Sequence, residues 1–394
     1  MLKRTVANAA FGLASGLTAC AAHAQSSVTL YGLIDTGITY ANHVATSSGH
    51  GALVRYADGV AQGSRWGIRG KEDLGSGLSA IFTLEGGFNS GDGTIAQGGA
   101  LFGRQAWVGL NRNGVGSLTF GRQYSLSRDY LHNYAIGHET PAGNYAYHIN
   151  DLDQLTSSRI NNSIKFSSAN FSGLTFGALY GFSNQAGAFS GSPTTTAGST
   201  TTQGSSRTFS AGVNYAPGPF AIGAAYTDIR FPGSATPAFT ASIANINTGP
   251  LRDLRTFGIG SSYLIGNGKV WGNWTHTQLV QIASRESTLN NYEVGGRYAF
   301  TPAFSGGLGY TFSDLSGESS GKWHQVNSFV DYALSKRTDV YALAIYQKAS
   351  GSNIVNGKVV PVQAEIGASS SFIGNSGTGA NSQLAVRVGL RHLF

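Results

Sequence analysis

Charged residues, cysteine and methionine are all scarce in this sequence. Only 11% of the 394 residues are Asp, Glu, Lys or Arg, and there is one cysteine and one methionine. Soluble domains usually carry about 25% charged residues. Disorder is excluded nevertheless, because disordered chains have few aromatics and this chain is 11% aromatic. A nucleic-acid-binding surface has no support, since no basic run exceeds two residues despite a net charge of +7.

Glycine, by contrast, is abundant. The 56 glycines disfavour a coiled coil or a helical bundle, because glycine weakens helices. They also lack the period of three that collagen requires. Beyond the first 24 residues there is no run of 18 apolar residues, which excludes a transmembrane helix in that part of the sequence. These observations leave a β-rich chain with many turns.

The N-terminus has the pattern of an export signal. Lys3 and Arg4 precede a stretch of small apolar residues, and Ala22-His23-Ala24 is an A-x-A cleavage pattern. We expect residues 1–24 to be a Sec signal peptide and residues 25–394 to be the mature domain. A lipoprotein box at residues 17–20, which would leave Cys20 acylated, is the alternative. Cleavage after Ala24 would leave no cysteine and therefore no disulfide.

The apolar residues recur with a period of two rather than 3.6. Between Val28 and Tyr40 the even positions are largely apolar, and Leu384 to Phe394 repeats this alternation. One apolar and one polar face over about ten residues is typical of a membrane-spanning β-strand. Sixteen such segments begin near Val28, Ser64, Leu78, Gln105, Leu118, Arg159, Leu174, Thr208, Phe220, Thr256, Lys269, Asn291, Ala303, Lys322, Asp339 and Gln383.

The connections between these segments alternate in length. Short ones contain turn residues and lie at 75–77, 113–114, 217–219, 266–268, 301–302 and 335–337. Long ones, rich in Ser, Thr and Gly, lie at 185–206, 231–251 and 350–381. The pattern predicts an all-β fold, a 16-stranded antiparallel transmembrane β-barrel of the bacterial outer membrane, with short periplasmic turns and long extracellular loops. A soluble sandwich or propeller is the alternative, but a sandwich needs a second apolar face that the polar positions do not supply.

Five ordered sequence blocks resemble one known family. They are SSVTLYGLID at 26–35, GSRWGIRGKEDLG at 63–75, LFGRQAWVGL at 101–110, LTFGRQ at 118–123 and SRINNSI at 158–164. They are similar to the Gram-negative general-diffusion porins of the neisserial and β-proteobacterial type. The resemblance implies a homotrimer whose third extracellular loop folds into the lumen. It also implies that the terminal Phe394 is the signal read by the barrel-assembly machinery, and that lipid and lipopolysaccharide surround the barrel.

Strand alternation predicts which basic residues line the pore, and pore selectivity depends on charges at the narrowest point. In the second strand Ser64, Trp66 and Ile68 share one face, so Arg65 and Arg69 should face the lumen. By the same reasoning Ile160, Ile164 and Phe166 should face lipid and Arg159 the lumen. The resemblance adds Arg104 to this basic cluster. Alternation does not support Arg104, because Ala106 and Val108 take the outward face, so a bulge would be needed.

The connection at residues 125–157 differs from the other loops because it is rich in both tyrosine and acidic residues. Aromatic side chains suit a loop packed on a wall. Its acids are Asp129, Glu139, Asp151 and Asp153. In the family mechanism such acids face the wall arginines and create a transverse field across the constriction. The spacing of His132, His138 and His148 fits no common metal motif, so no metal or other cofactor is expected.

The function that best fits these features is passive diffusion of small hydrophilic solutes through a water-filled channel, with a mild preference for anions. A solute-specific channel of the same architecture is the main alternative. A barrel with a plugged lumen and an outer-membrane hydrolase are less well supported. The sequence shows no convincing Ser/His/Asp set or carboxylate pair for catalysis, so an enzyme is not expected.

Overall fold

The computed structural model describes residues 27–156, 158–183, 207–231, 246, 251–281, 284–367 and 373–394. The expected signal peptide, Cys20, and nearly all of the loops at 185–206 and 231–251 lie outside these residues. Among the described residues, no helix is both long enough and apolar enough to cross a membrane.

The described residues form nineteen strands and a few short helical turns. The strands are β1 (Ser27–Thr46), β2 (Gly49–Asp58), β3 (Arg65–Gly75), β4 (Leu78–Gly87), β5 (Gln105–Arg112), β6 (Gly116–Tyr124), β7 (Arg159–Ser168), β8 (Leu174–Phe182), β9 (Arg207–Tyr215), β10 (Phe220–Arg230), β11 (Leu251–Ile265), β12 (Gly268–Gln281), β13 (Glu286–Ala299), β14 (Phe304–Gly317), β15 (Gly321–Ala333), β16 (Thr338–Ser350), β17 (Ser352–Val355), β18 (Lys358–Pro361) and β19 (Ser382–Leu393). The helices are α1 (Ala96–Gly99), α2 (Leu126–Tyr130) and α3 (Ile136–Glu139), with 3₁₀ turns at His132–Tyr134, Gly143–Tyr145 and Ile149–Asp151.

All strands except β17 and β18 belong to one antiparallel sheet that closes on itself between β1 and β19. The two strands β2 and β3 share one position in the wall. The upper part of β1 pairs with β2 from Thr36 onward, and its lower part pairs with β3 up to Leu33. Residues 59–64 leave the wall between them. Counted in this way the barrel has sixteen wall strands, which confirms the predicted fold.

The exposure of side chains is the reverse of that in a soluble protein. Leu30 is 62% exposed and Val388 63%, whereas Asp35 and Arg387 are almost completely buried. The apolar residues therefore form the outer surface, and the polar ones face the interior. Tyr215 and Tyr263, two of the aromatic residues near strand ends, are also exposed on the outer face. This arrangement is that of a barrel in contact with lipid.

The two rims of the barrel differ as the sequence predicts. Each of the six predicted short turns joins consecutive strands at one rim. At Gly75-Ser76-Gly77 all three residues have positive φ, which explains the two glycines of this turn. The longer connections lie at the opposite rim. Short turns mark the periplasmic side of such barrels, so the long connections are extracellular.

The third extracellular connection, between β6 and β7, folds into the barrel. Leu131, Tyr145 and Leu152 in this loop are completely buried. The side chains of Leu126 and Leu152 pack with wall residues such as Leu254 in one apolar cluster. This confirms the predicted inward fold of the loop, which we call the constriction loop (residues 125–158).

Candidate constriction site

A cavity of about 290 Å³ lies between the wall and the constriction loop. Three of the four predicted arginines border it, namely Arg65, Arg104 and Arg159. The constriction loop adds Arg128, His132 and His138. Asp58 is the acidic residue among those that line it, and it accepts a hydrogen bond from the Ser64 hydroxyl at 2.6 Å. The cavity therefore carries an excess of positive charge.

Arg104 reaches the lumen although strand alternation places it outward. It sits in a bend immediately before β5 begins at Gln105, so the alternation of that strand does not govern its direction. Its Nε donates to Glu85 Oε1 at 2.7 Å, and its backbone N–H donates to the Glu85 carbonyl at 3.1 Å. Because Gln105 is also the register partner of Glu85, two residues lie opposite one here, and the alternation is interrupted at the start of β5, where the bulge was expected. Glu85 compensates much of the Arg104 charge.

Tyr124, at the end of β6, holds three arginines together. The Arg128 and Arg159 guanidinium carbons lie 4.9 and 5.2 Å from its ring centroid. Its hydroxyl accepts a hydrogen bond from Arg104 at 3.1 Å. Stacked cations keep their charge while they are held in place. Sequence reasoning missed both Tyr124 and Arg128, although Tyr124 directly follows the Gly-Arg-Gln block at 121–123.

Arg159 borders the cavity, but not for the reason that the sequence suggested. Ile160 was expected to face lipid, and this expectation is wrong, because Ile160 is buried among apolar residues of the constriction loop. The register of β6 and β7 shifts here, and Asn162 has a positive φ of 49°. This bulge reverses the alternation for the residues of β7 that precede Ser163. Arg159 instead reaches the cavity as the first residue after the loop.

Arg69 lies away from the other predicted arginines. It is on the same strand as Arg65 and four residues closer to the periplasmic turn. Its guanidinium lies 5.2 Å from the ring centroid of Tyr31, and it is not among the residues that line the cavity. Tyr31 in turn donates to Glu85 at 3.0 Å. Arg69 thus belongs to the lumen wall below the cavity.

The four loop acids lie away from the cavity that Arg65, Arg104 and Arg159 border. Asp129 pairs with Lys165 of β7, and Glu139 pairs with Lys269 of β12 at 2.5 Å and with Arg297 of β13 at 3.5 Å. Asp151 accepts from the Thr156 backbone N–H at 2.9 Å. Asp153 is buried against the wall. None of the four lines the cavity. A buried carboxylate is costly unless it is paired, so these acids serve to attach and shape the loop.

A buried charge network attaches the constriction loop to β12 and β13. His148 Nδ1 pairs with Asp153, and His148 Nε2 lies 3.2 Å from Glu293 Oε2. Asp153 also accepts from the Thr275 hydroxyl at 2.6 Å. Glu293 Oε1 accepts from the Ile136 backbone N–H at 2.6 Å. Burial alone would lower the pKa of His148, but Asp153 and Glu293 outweigh burial and raise this pKa to about 10. His148 is therefore charged at neutral pH.

A second attachment joins the loop to residues 59–64. The Asn144 backbone N–H donates to the Val60 carbonyl at 2.6 Å, and the Asn144 side chain donates to the Gly59 carbonyl at 2.7 Å. Gly143 has a φ of 51°, and a Cβ there would lie 1.9 Å from the Val60 oxygen. Only glycine permits this close approach. Residues 59–64, between β2 and β3, therefore form a contact surface that holds the constriction loop.

The two histidines at the cavity are neutral at physiological pH. Burial and the nearby Arg128 lower the pKa of His132 well below its usual value, and partial desolvation beside Arg128 lowers that of the more exposed His138 to about 4. The positive charge of the cavity therefore comes from its arginines. No group of three potential metal ligands is found in the described ranges of the chain.

Comparisons with known proteins agree with this architecture. The profile of the Gram-negative porin family matches residues 9–352. The chain is 30% identical to an outer membrane porin protein of Bordetella pertussis, over 88% of this chain and 94% of that protein. It is also 30% identical to outer membrane porin protein 32 of Delftia acidovorans, over 95% and 96% of the two chains.

The solved structure of the anion-selective porin from Comamonas acidovorans shares the fold. It superposes with a TM-score of 0.72 over 94% of this chain and all of that one, at 24% identity. The barrel, its exposed apolar belt, its inward loop and these relatives lead to one conclusion. The chain belongs to the Gram-negative porin family and forms a channel for passive diffusion in the bacterial outer membrane.

Proposed function

We propose that this channel prefers small anions, and that Arg65, Arg128 and Arg159 produce the preference. The observation that carries the proposal is the arginine-lined cavity from which the loop acids are turned away. Glu85 pairs with Arg104, so the other three arginines supply most of the excess charge. The solved porin from Comamonas acidovorans is described as anion-selective, which supports the same sign of ion selectivity for this channel. We propose no catalytic activity.

The preference should depend on salt. In a water-filled lumen the Debye length is about 10 Å at 0.1 M salt, so only charges close to the ion path act strongly. Because the cavity brings several arginines around one small volume, their fields overlap there. The anion preference is therefore mild at high salt and larger at low salt.

Zero-current potentials across a salt gradient in planar bilayers test this proposal. Replacing both Arg65 and Arg159 by Ala should remove most of the anion preference. Arg69→Ala is the matched control, because Arg69 lies on the same strand as Arg65 but outside the cavity; it should change the potential little. A cation preference in the wild type, or an equal loss in the Arg69 variant, would show that the cavity does not set selectivity.

We further propose that the chain is exported with loss of residues 1–24 and assembles as a homotrimer, with Phe394 read by the assembly machinery. Gly296 and Gly306 have the strand parity of the exposed Val294 and Leu308, and the absence of a side chain at these outward positions supports close approach of neighbouring walls. Gly32, also at an outward position, is covered instead, because a Cβ there would lie 2.4 Å from the Phe394 ring. Analytical ultracentrifugation in detergent should show three protomers per particle, and N-terminal sequencing should begin at Gln25.

A further inference from the structure

A row of charged side chains lies on the outer face of the barrel at the extracellular ends of β9, β10 and β11. Arg230 is the register partner of both Arg207 and Asp253, and Asp228 is the register partner of Arg255. These residues have the same strand parity as the exposed Phe209, Tyr226 and Phe257. They therefore point away from the lumen, toward the surroundings of the barrel.

Three arginines of this row, together with Arg252 at the adjacent register shift of β11, surround two aspartates. Asp253 lies 3.4 Å from Arg230, 3.1 Å from Arg252 and 3.3 Å from Arg255. Asp228 lies 3.7–3.8 Å from Arg207, Arg230 and Arg255. The arginine side chains are 25–43% exposed, while those of Asp228 and Asp253 are 12% and 3% exposed. The acids thus lie beneath the arginines, and the accessible surface of the cluster is cationic.

The height of the cluster on the barrel identifies what it meets. One pleat toward the periplasm, two residues along each strand, come Tyr226, Phe257 and His276, which are register partners of one another. The Phe257 ring contacts both Trp274 and His276, with centroids 5.1 and 5.2 Å apart. Aromatic belts of this kind mark the interface between the apolar core of a membrane and its head groups. The arginines therefore lie at the level of the head groups of the outer leaflet.

An apolar groove begins directly below this aromatic layer. It has a volume of about 450 Å³, and its outward-facing lining includes Ile222, Ile259, Trp274 and Tyr292. Gly272 forms its floor, because this outward position has no side chain and a Cβ there would approach no atom closer than 3.6 Å. An apolar groove of this volume has room for part of a hydrocarbon chain.

We propose that this face of β9–β13 is a binding site for the phosphorylated glycolipid of the outer leaflet. The phosphate lies on Arg207, Arg230 and Arg255, and one acyl chain enters the groove above Gly272. Arginine matches phosphate oxygens with paired N–H donors, and the four arginines exceed the two acids, so the charges are complementary. The site depends on the outer-membrane location of the barrel but not on the ion preference of its lumen.

Native mass spectrometry of the detergent-solubilised barrel, titrated with bisphosphorylated lipid A, tests this proposal. The wild type should bind this lipid and should bind the same lipid without its phosphates far more weakly. The double substitution R230Q/R255Q should weaken binding about 30-fold, as expected when two basic residues near an anionic surface are lost. The charge-preserving R230K/R255K should bind more tightly than R230Q/R255Q but more weakly than the wild type, because lysine keeps the charge and lacks the paired N–H donors. Equal binding of the phosphate-free lipid would overturn the proposal.

A second variant tests the groove without disturbing the buried aspartates, in case R230Q/R255Q does not fold. Gly272→Leu should weaken lipid A binding about 15-fold, the loss expected when roughly two methylene groups can no longer enter the groove. Ala178→Leu, at an outward position on β8 outside the groove, is the matched control and should bind like the wild type. Unchanged binding by Gly272→Leu would also overturn the proposal. Zero-current potentials should be the same in all these variants, which separates this test from that of the lumen arginines.

Discussion

Replacing His148 by Gln should destabilise the constriction loop strongly. In the folded barrel His148 lies between Asp153 and Glu293, and all three side chains are essentially inaccessible to solvent. Glutamine keeps a hydrogen-bonding group but removes the positive charge, and so leaves two carboxylates without their cation. Removing one partner of a buried ion pair costs about 3–5 kcal/mol. We expect the thermal unfolding midpoint of the barrel to fall and the open-channel current to become noisier, since the loop then loses its charged link to Asp153 and Glu293.

The same network predicts a dependence on pH. The folded-state pKa of His148 is raised to about 10 from an ordinary 6.5. Its stabilising contribution is therefore complete below pH 6.5 and is lost as the pH rises through 10. The pKa of Asp153 is lowered: burial opposes this shift and the His148 charge outweighs burial. The Asp153 contribution is therefore lost only when the pH falls below its ordinary value near 3.8. Current noise should be low between these limits and should rise above pH 10.

His138→Gln is the control for this prediction. His138 is on the same loop, but its pKa is lowered to about 4 by partial desolvation and by Arg128, so it is neutral at pH 7. This substitution should leave the unfolding midpoint nearly unchanged. The reasoning would be refuted if His148→Gln unfolded at the same temperature as His138→Gln, or if it kept the rise in noise above pH 10.

Two further predictions concern Tyr124 and the C-terminus. Tyr124→Ala should reduce the anion preference in zero-current measurements, because Arg128 and Arg159 lose a stacking partner worth about 0.5–2 kcal/mol. Tyr124→Phe keeps the ring and should keep most of the anion preference. An equal loss in both variants would assign the effect to the hydroxyl. Deleting Phe394 should lower the amount of heat-modifiable barrel in the outer membrane. Gly32→Val should do the same, since its Cβ would lie 2.4 Å from the Phe394 ring, while Gly218→Ala, with nothing within 4 Å of its Cβ, should assemble normally.

The sequence was sufficient to predict the wall of the barrel. Alternation with a period of two is a direct property of strand geometry, and it located a strand near each of the sixteen predicted starts. It did not reveal β2, because residues 49–58 were assigned to the connection before Ser64. The break at residues 59–64 is stabilised by contacts with the constriction loop, such as that of Asn144 with Val60, and such long-range contacts have no local signal.

The candidate site was predictable only in part, for the same physical reason. Alternation predicts whether a side chain faces the lumen or the lipid only within a regular strand, and Arg65 and Arg69 lie in such a strand. Arg104 lies just before a strand, and Ile160 lies beyond a bulge, so alternation fails for both. The loop acids could not be placed, because their partners Lys165, Lys269 and His148 are distant or ambiguous in sequence. Tertiary ion pairing, rather than loop composition, determined where these carboxylates point.

The two attachments of the constriction loop have a consequence for the size of solutes that can pass. Asn144 is bonded to the β2–β3 segment, and His148, only four residues later, is paired with β13. A chain can extend by at most about 3.6 Å per residue. The segment at residues 144–148 is therefore too short to let the loop move away from either wall while both contacts hold. The calibre of the pore is thus set when the barrel folds. We therefore expect this part of the loop to keep a constant position, and the spacing of Asn144 and His148 to help set the size of solute that passes.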